Sequence, residues 1–270
     1  MSEADAVALV DRPAAVDDLF ADLRSLGVAE GATVLVHSSL SRLGYICGGA
    51  QAVVAALLQA VGPDGTVAMP THSSNLSDPA AWVNPPVPEA WWSQIRETMP
   101  AFDPQLTPTR SMGAIVECFR HVPGVLRSDH PTVSAAAVGP NAGALLSGHT
   151  LEHGLGESSP QARLYELDGQ ILLMGVTHAN NTSLHLAEYR SSVSGRQWTT
   201  HASPVQVDGQ RRWVSYPDLD VEDEDFDRLG QDFAETGMET SGPIGAGTGR
   251  LMRSREVVDF AVSWMNENRR

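Results

Sequence analysis

Apolar residues recur along the chain with two periods, and the switches between them lay out its elements. Val16, Leu19, Phe20, Leu23 and Leu26 fall at helical spacing before Gly27, which predicts an amphipathic packing helix with a glycine stop. Thr33-Val34-Leu35-Val36 is a β-branched strand; a polar, glycine-bearing loop follows, and Gly48-Gly49 opens a helix to Val61 with Gly62 as its stop. Thr66 to Met69 and Ser134 to Val138 read as further short strands. Gln170 to Met174 is nearly all apolar, the pattern of a strand buried on both faces. Helices are predicted from Gly113 through Phe119, from Asn141 to Leu146, from Ser158-Ser159-Pro160 to Leu167, and from Ser254 through Trp264. The third has a proline in its first turn, where the missing N–H costs little. Pro204 to Tyr216 reads as a hairpin turning at Asp208-Gly209.

One stretch lacks either period. From Pro70 to about Thr109 the chain is irregular, proline-rich and carries Trp82, Trp91 and Trp92. Loops this long in a compact domain are usually functional or disordered. The aromatic content argues for order, so an ordered lid or wall over a site is expected there.

Composition narrows the class. At 270 residues the chain has room for one large domain or two intimate ones. No apolar run is long enough to span a bilayer and the N-terminus is acidic, so a soluble, cytoplasmic protein is expected. Cys47 and Cys118 make no metal or redox spacing and are expected to be buried thiols. The net charge of −15 argues against nucleic acid and anionic membranes as partners and suits a cationic one. All 18 basic residues are arginine. That excludes a lysine Schiff base and a Walker-type loop, and leaves any phosphate clamp to arginine, backbone N–H groups and hydroxyls.

Two strand–loop–helix units hold the candidate chemistry. In the first, His37-Ser38-Ser39-Leu40 follows a strand and offers hydroxyls and free N–H groups to an anion. In the second, Gly175 to Thr182 links a buried strand to a helix bearing His185 and Glu188. Spaced three apart, these two share a helix face. Either Glu188 or an acid from elsewhere could hold the imidazole as a base. Asp218 and Asp220 sit at a strand end, whereas Glu222 to Asp227 reads as a solvated helix start. His149, Glu152 and His153 match no zinc spacing, so no metal is expected. Gly242, Gly245, Gly247 and Gly249 follow no strand and miss the dinucleotide spacing.

Four segments together carry a resemblance: Leu35-Val36-His37-Ser38-Ser39-Leu40 with Gly48-Gly49, Met69-Pro70-Thr71 leading to Asp78-Pro79, Arg127-Ser128-Asp129-His130-Pro131, and Asn181-Thr182-Ser183-Leu184-His185-Leu186-Ala187-Glu188. In this order, with Gly242-Pro243-Ile244-Gly245 and Arg250-Leu251 behind them, the chain resembles the aminoglycoside 3-N-acetyltransferases. The resemblance implies an α/β fold of two closely packed halves around a mixed central sheet, unlike GCN5-like acetyltransferases. It implies one acetyltransferase domain over 1–270 with an inserted loop region around 70–109. The implied reaction moves acetyl from acetyl-CoA to the 3-amino group of the 2-deoxystreptamine ring, with His185 as general base in a ternary complex. Asp218 would stand near that base. Asp78 and Asp220, and also Glu157 and Glu188, would meet the antibiotic's amines. His37, Ser38, Ser39 and Leu40, with Arg110, Ser111, Met112 and Gly113, would hold the cofactor. The rival readings are the same fold acetylating another small amine, and a non-catalytic CoA-binding scaffold.

Overall fold

Along the first strand, β1 (Thr33–Ser38), Val34 and Val36 enter one hydrophobic cluster and Leu35 enters another. Side chains alternate across a strand, so a strand buried on both sides must lie between two layers. That is the plan of the molecule, described for residues 3–269 by a computed structural model. The other strands are β2 (Thr66–Pro70), β3 (Leu126–Arg127), β4 (Ala135–Val138), β5 (Gln170–Met174), β6 (Trp198–Val207), β7 (Gln210–Leu219), β8 (Thr240–Ile244) and β9 (Gly247–Arg253). Seven of them form one mixed sheet in the order β3-β4-β2-β1-β5-β9-β8. β1 pairs in parallel with both β2 and β5, and the outer pairings are antiparallel.

The two helical layers come from the two halves of the chain. Helices Val16–Leu26, Gly49–Val61 and Gly113–Phe119 bury Leu19, Leu23, Val53, Leu57, Ile115 and Phe119 on the Val34 face. Helices Pro160–Glu166, Ser183–Arg190, Phe226–Ala234 and Ser254–Asn268 bury Leu164, Leu184, Leu186, Phe226, Phe233 and Val257 on the Leu35 face. An α/β fold with a mixed central sheet is therefore present, and the closely packed halves meet across it.

The hairpin β6–β7 is separate from this sheet and longer than its apolar pattern predicts, pairing from Trp198–Leu219 to Val207–Gln210. Asp208 and Gly209 at its tip both have positive φ (51° and 73°), as a tight hairpin turn requires. It is tied to the 71–112 segment, where Phe102 N–H donates to Pro204 O at 3.0 Å and Arg211 Nε to Met99 O at 2.6 Å. That segment is ordered by short helices at Pro79–Ala81, Glu89–Trp91 and Trp92–Thr98. The thiols depart from expectation: Cys47 is exposed and Cys118 only half-buried. Among the described residues no helix is long and apolar enough to cross a membrane.

Candidate active site

The parallel strands β2, β1 and β5 end together, at Pro70, Ser38 and Met174. The chain leaves β1 toward β2 on one side, while β5 joins on the other. Loops leaving such a point diverge, and a crevice opens beyond the carboxyl ends of the strands. A cleft of about 1100 Å³ lies here, walled by Ser38 to Arg42, Ser111 to Ala114, Gly175 to Thr177, Ala246 to Thr248 and Arg250. A smaller cavity of about 230 Å³ shares Ser38, Ser111, Met112, Val176 and Asn180 with it and adds His37, His72, Asn181, His185 and Asp223. The two spaces therefore adjoin.

Two close approaches build the cleft. Gly175, just past β5, has φ +66°, and a Cβ there would lie 2.8 Å from Arg42 Cβ. Gly245, in the β8–β9 turn, has φ +57°, and its Cβ would lie 2.5 Å from Leu43 O. Only glycine meets both demands. Of the glycines that fail as a dinucleotide motif, Gly245 and Gly247 thus pack one cleft wall on another, while Gly242 and Gly249 face Leu26. Ser111 has φ +60° without being glycine; such a conformation is uncommon for a residue with a side chain.

In the smaller cavity, His185 Nδ1 lies 2.6 Å from Glu188 Oε2. Glu188 is only 4% exposed, and its other oxygen accepts from Arg269 Nη1 at 2.6 Å and from the Glu222 N–H at 2.9 Å. Arg269 also donates from Nε and Nη2 to Asp225. Burial works against the Arg269 charge, but hydrogen bonds to Asp225 and Glu188 outweigh it and raise its pKa. A carboxylate so surrounded by donors is held in one orientation. It then accepts Nδ1–H and leaves Nε2 of the imidazole with its lone pair. His185 packs against Phe226, ring centroids 5.0 Å apart.

The other anticipated residues divide. Ser38, Ser39, Leu40, Ser111, Met112 and Gly113 do come together, in the large cleft. His37 lies instead in the wall of the smaller cavity. Arg110 lines neither space and donates to Asn84 O at 3.1 Å. Asp218 is not the partner of His185: it accepts from Tyr189 Oη and from the N–H groups of Leu219 and Gly154. Glu188 is buried under His185 and is not a surface for substrate amines. Asp78 is occupied by Arg96 through two hydrogen bonds of 2.9 and 2.7 Å and by the Ala80 N–H. Burial pushes its pKa up, but those bonds and the Arg96 charge bring it below the ordinary value. Glu157 is held by Arg190 at 2.7 and 2.8 Å. Asp220 is exposed and lines neither space. Trp82, Trp91 and Trp92 also line neither, so the long segment walls the site through its ends, His72 and Ser111 to Ala114, rather than through its aromatic middle. His149 spends both ring nitrogens on Ser128 Oγ and Gly154 O.

Sequence reasoning missed His72, Asn181 as a site residue, and Asp223. Burial lowers His37 and His72 to about 3, with neighbouring imidazoles adding to the effect; both are neutral near pH 7. His72 follows Met69-Pro70-Thr71 directly, a signal that was present. Asp223 lies within an acidic run that reads as solvent-facing, and only the return of that run over His185 gives it a role.

The sequence profile of the aminoglycoside 3-N-acetyltransferase family matches residues 35–266. The chain is 46% identical to the SPbeta prophage-derived aminoglycoside N(3')-acetyltransferase-like protein YokD of Bacillus subtilis, over 92% of this chain and 90% of that one. It is 35% identical to aminoglycoside N(3)-acetyltransferase VII of Streptomyces paromomycinus, over 95% and 93%. Among solved structures, YokD superposes with a TM-score of 0.95 at 42% identity, covering 98% of each chain. The binary complex of AAC-IIIb with CoASH superposes with a TM-score of 0.84 at 31% identity, covering 95% of this chain and 97% of that one.

Proposed function

Because the chain belongs to the aminoglycoside 3-N-acetyltransferase family, we propose that it moves the acetyl group of acetyl-CoA onto the 3-amino group of an aminoglycoside's 2-deoxystreptamine ring, with His185 as general base. The protein is an acyltransferase, and in this reading the whole chain acts as one domain. The observation that carries the mechanism is the His185–Glu188 pair in a small cavity adjoining a large cleft.

An aminoglycoside amine is largely protonated at neutral pH, and an ammonium has no lone pair. His185 Nε2 takes the proton, and Glu188 stabilises the imidazolium that results. Arg269 and the Glu222 N–H hold Glu188 in place. The amine attacks the thioester directly, so no residue of the protein is acylated. The large cleft suits the donor: its volume of about 1100 Å³ has room for a large ligand, Ser38 Oγ is buried there without a partner among the described residues, and Arg42 and Arg250 stand in its wall. With no lysine in the chain, a phosphate there would meet guanidiniums: that of Arg42, and that of Arg250, which is shared with Glu239 Oε1 at 3.5 Å and Val176 O at 3.3 Å. Asp223 at the cavity edge and the overall charge of −15 favour a polycation.

The test is His185→Gln. Binding of acetyl-CoA, measured by calorimetry, should change little, while kcat on an aminoglycoside falls about 10²–10⁴-fold. Turnover retained within a few-fold would overturn the assignment.

A further inference from the structure

Four buried side-chain polar atoms in the wall of the smaller cavity have no hydrogen-bond partner among the described residues: His37 Nε2, Ser38 Oγ, His72 Nε2 and Asn181 Nδ2. Buried polar groups are nearly always paired, because an unpaired one costs about 1–3 kcal/mol. Their concentration beside one imidazole base calls for a use.

Asn181 is the best defined of the four. It is 1% exposed. Its Oδ1 accepts from the Ser183 N–H at 3.2 Å, which orients the amide, and the Asn181 N–H in turn donates to His178 O at 2.8 Å. With the oxygen committed to the helix start, the NH₂ is the end left unpaired, on a residue that lines the cavity. No such bond sets which ring nitrogen of His37 or His72 carries the proton, and a hydroxyl can rotate. Asn181 alone among the four is a donor by construction.

Acetyl transfer needs a donor at one point. As the acceptor nitrogen's lone pair forms the new C–N bond, the C=O π pair moves onto the carbonyl oxygen. It returns as the C–S bond breaks, with that bond's pair leaving on sulfur. The ammonium's first proton is released through His185 to solvent before attack; the second, shed by nitrogen as the C–N bond forms, passes to His185 Nε2 and then to the thiolate. Charge therefore builds and decays on one oxygen.

We propose that Asn181 is a catalytic residue that donates from Nδ2 to the acetyl carbonyl oxygen as it gains charge. This rests on the acetyltransferase reading above. The donor is preorganised, so it costs no reorientation during the reaction, and removing such a donor typically costs about 10²–10³ in kcat.

The experiment compares wild type with Asn181→Ala and Asn181→Asp. Asp keeps the acceptor for the Ser183 N–H but has no N–H to give. Both variants should lose about 10²–10³ in kcat, with the KM of acetyl-CoA and of the aminoglycoside held within about threefold. A readout apart from turnover is the Asn181 side-chain amide signal in nitrogen–proton NMR. It should move when acetonyl-CoA, which keeps a carbonyl but cannot transfer it, is added to wild type. It should not move with S-propyl-CoA, which has none. A purely structural cap would instead leave Asn181→Asp active, and that result overturns the inference. So would an amide signal that responds equally to both analogues. If wild type acetylates no aminoglycoside, the functional reading falls as well; if wild type is active and Asn181→Asp is equally so, only Asn181 loses its role.

Discussion

Glu188 Oε2 sits 2.6 Å from His185 Nδ1, one turn along the same helix, with Arg269 gripping the other carboxylate oxygen. The base is thus oriented from within its own helix and locked by the last described residue of the chain. Loss of that carboxylate should damage the base without removing it.

In Glu188→Gln, the amide can donate to Nδ1 and so hold the proton on Nε2, the wrong tautomer for a base. We expect kcat to fall about 10³–10⁴-fold, the scale seen when an orienting carboxylate is neutralised in other imidazole-base enzymes, with acetyl-CoA affinity retained. Steady-state kinetics with calorimetry of the binary complex will check this.

Asp223, which lines the smaller cavity, and Asp78, which does not, should behave differently. Asp223→Asn should raise the aminoglycoside KM roughly tenfold, about 1.4 kcal/mol, and weaken its salt dependence, with kcat unchanged. Asp78 is engaged by Arg96 and Ala80. Asp78→Asn should therefore act on the 71–112 segment, seen as faster proteolysis there, and leave the KM within about threefold. Kinetics at two ionic strengths and limited proteolysis distinguish the two.

Stability should decline in mild acid. Burial holds His37, His72 and His130 at about 3 and His149 at about 4, against an ordinary 6.5. Between these values the unfolded chain binds protons that the folded one does not, so stability rises with pH in that window. It is fully present above about pH 7 and is lost as pH falls from 6.5 toward 3, by up to about 1.4 kcal/mol per pH unit for each histidine. Urea titrations from pH 7 to 4 should show it, and His130→Gln, if folded, should flatten the slope.

Gly175→Ala should open the cleft. The new Cβ meets Arg42 Cβ at 2.8 Å and Ser39 O at 3.2 Å, at a φ of +66°. We expect about 1–3 kcal/mol of destabilisation and a raised KM for acetyl-CoA, with a smaller effect on the aminoglycoside KM. Thermal melts and kinetics varying each substrate in turn will test this.

Much of the architecture is legible in the apolar pattern. Gln170 to Met174, with no polar alternation, had to lie between two layers, and it does. Ser159 and Pro160 do start a helix. The hairpin is longer than its pattern because the residues added to β6, Trp198 to His201, are polar or exposed and carry no apolar alternation. The cleft residues Ser38 to Leu40 were readable because they follow a strand end, whereas Ser111 to Gly113 were placed at the cofactor by the family resemblance alone. The acids were not. Asp78 and Glu157 look available in the sequence, yet Arg96 and Arg190 reach them from 18 and 33 residues away.

What the sequence determines by itself is whatever depends on neighbours within a turn or a strand. It sets periodicity, the glycine stop after Leu26 and the placing of Glu188 one turn from His185. What the tertiary structure decides is which charges are spent and which are free. Asp218 goes to Tyr189, Glu188 to His185 and Arg269, and Asp223 to the cavity edge. The physical reason is that a carboxylate's role is set by the donors within about 3 Å of it, and here folding brings those donors from distant parts of the chain.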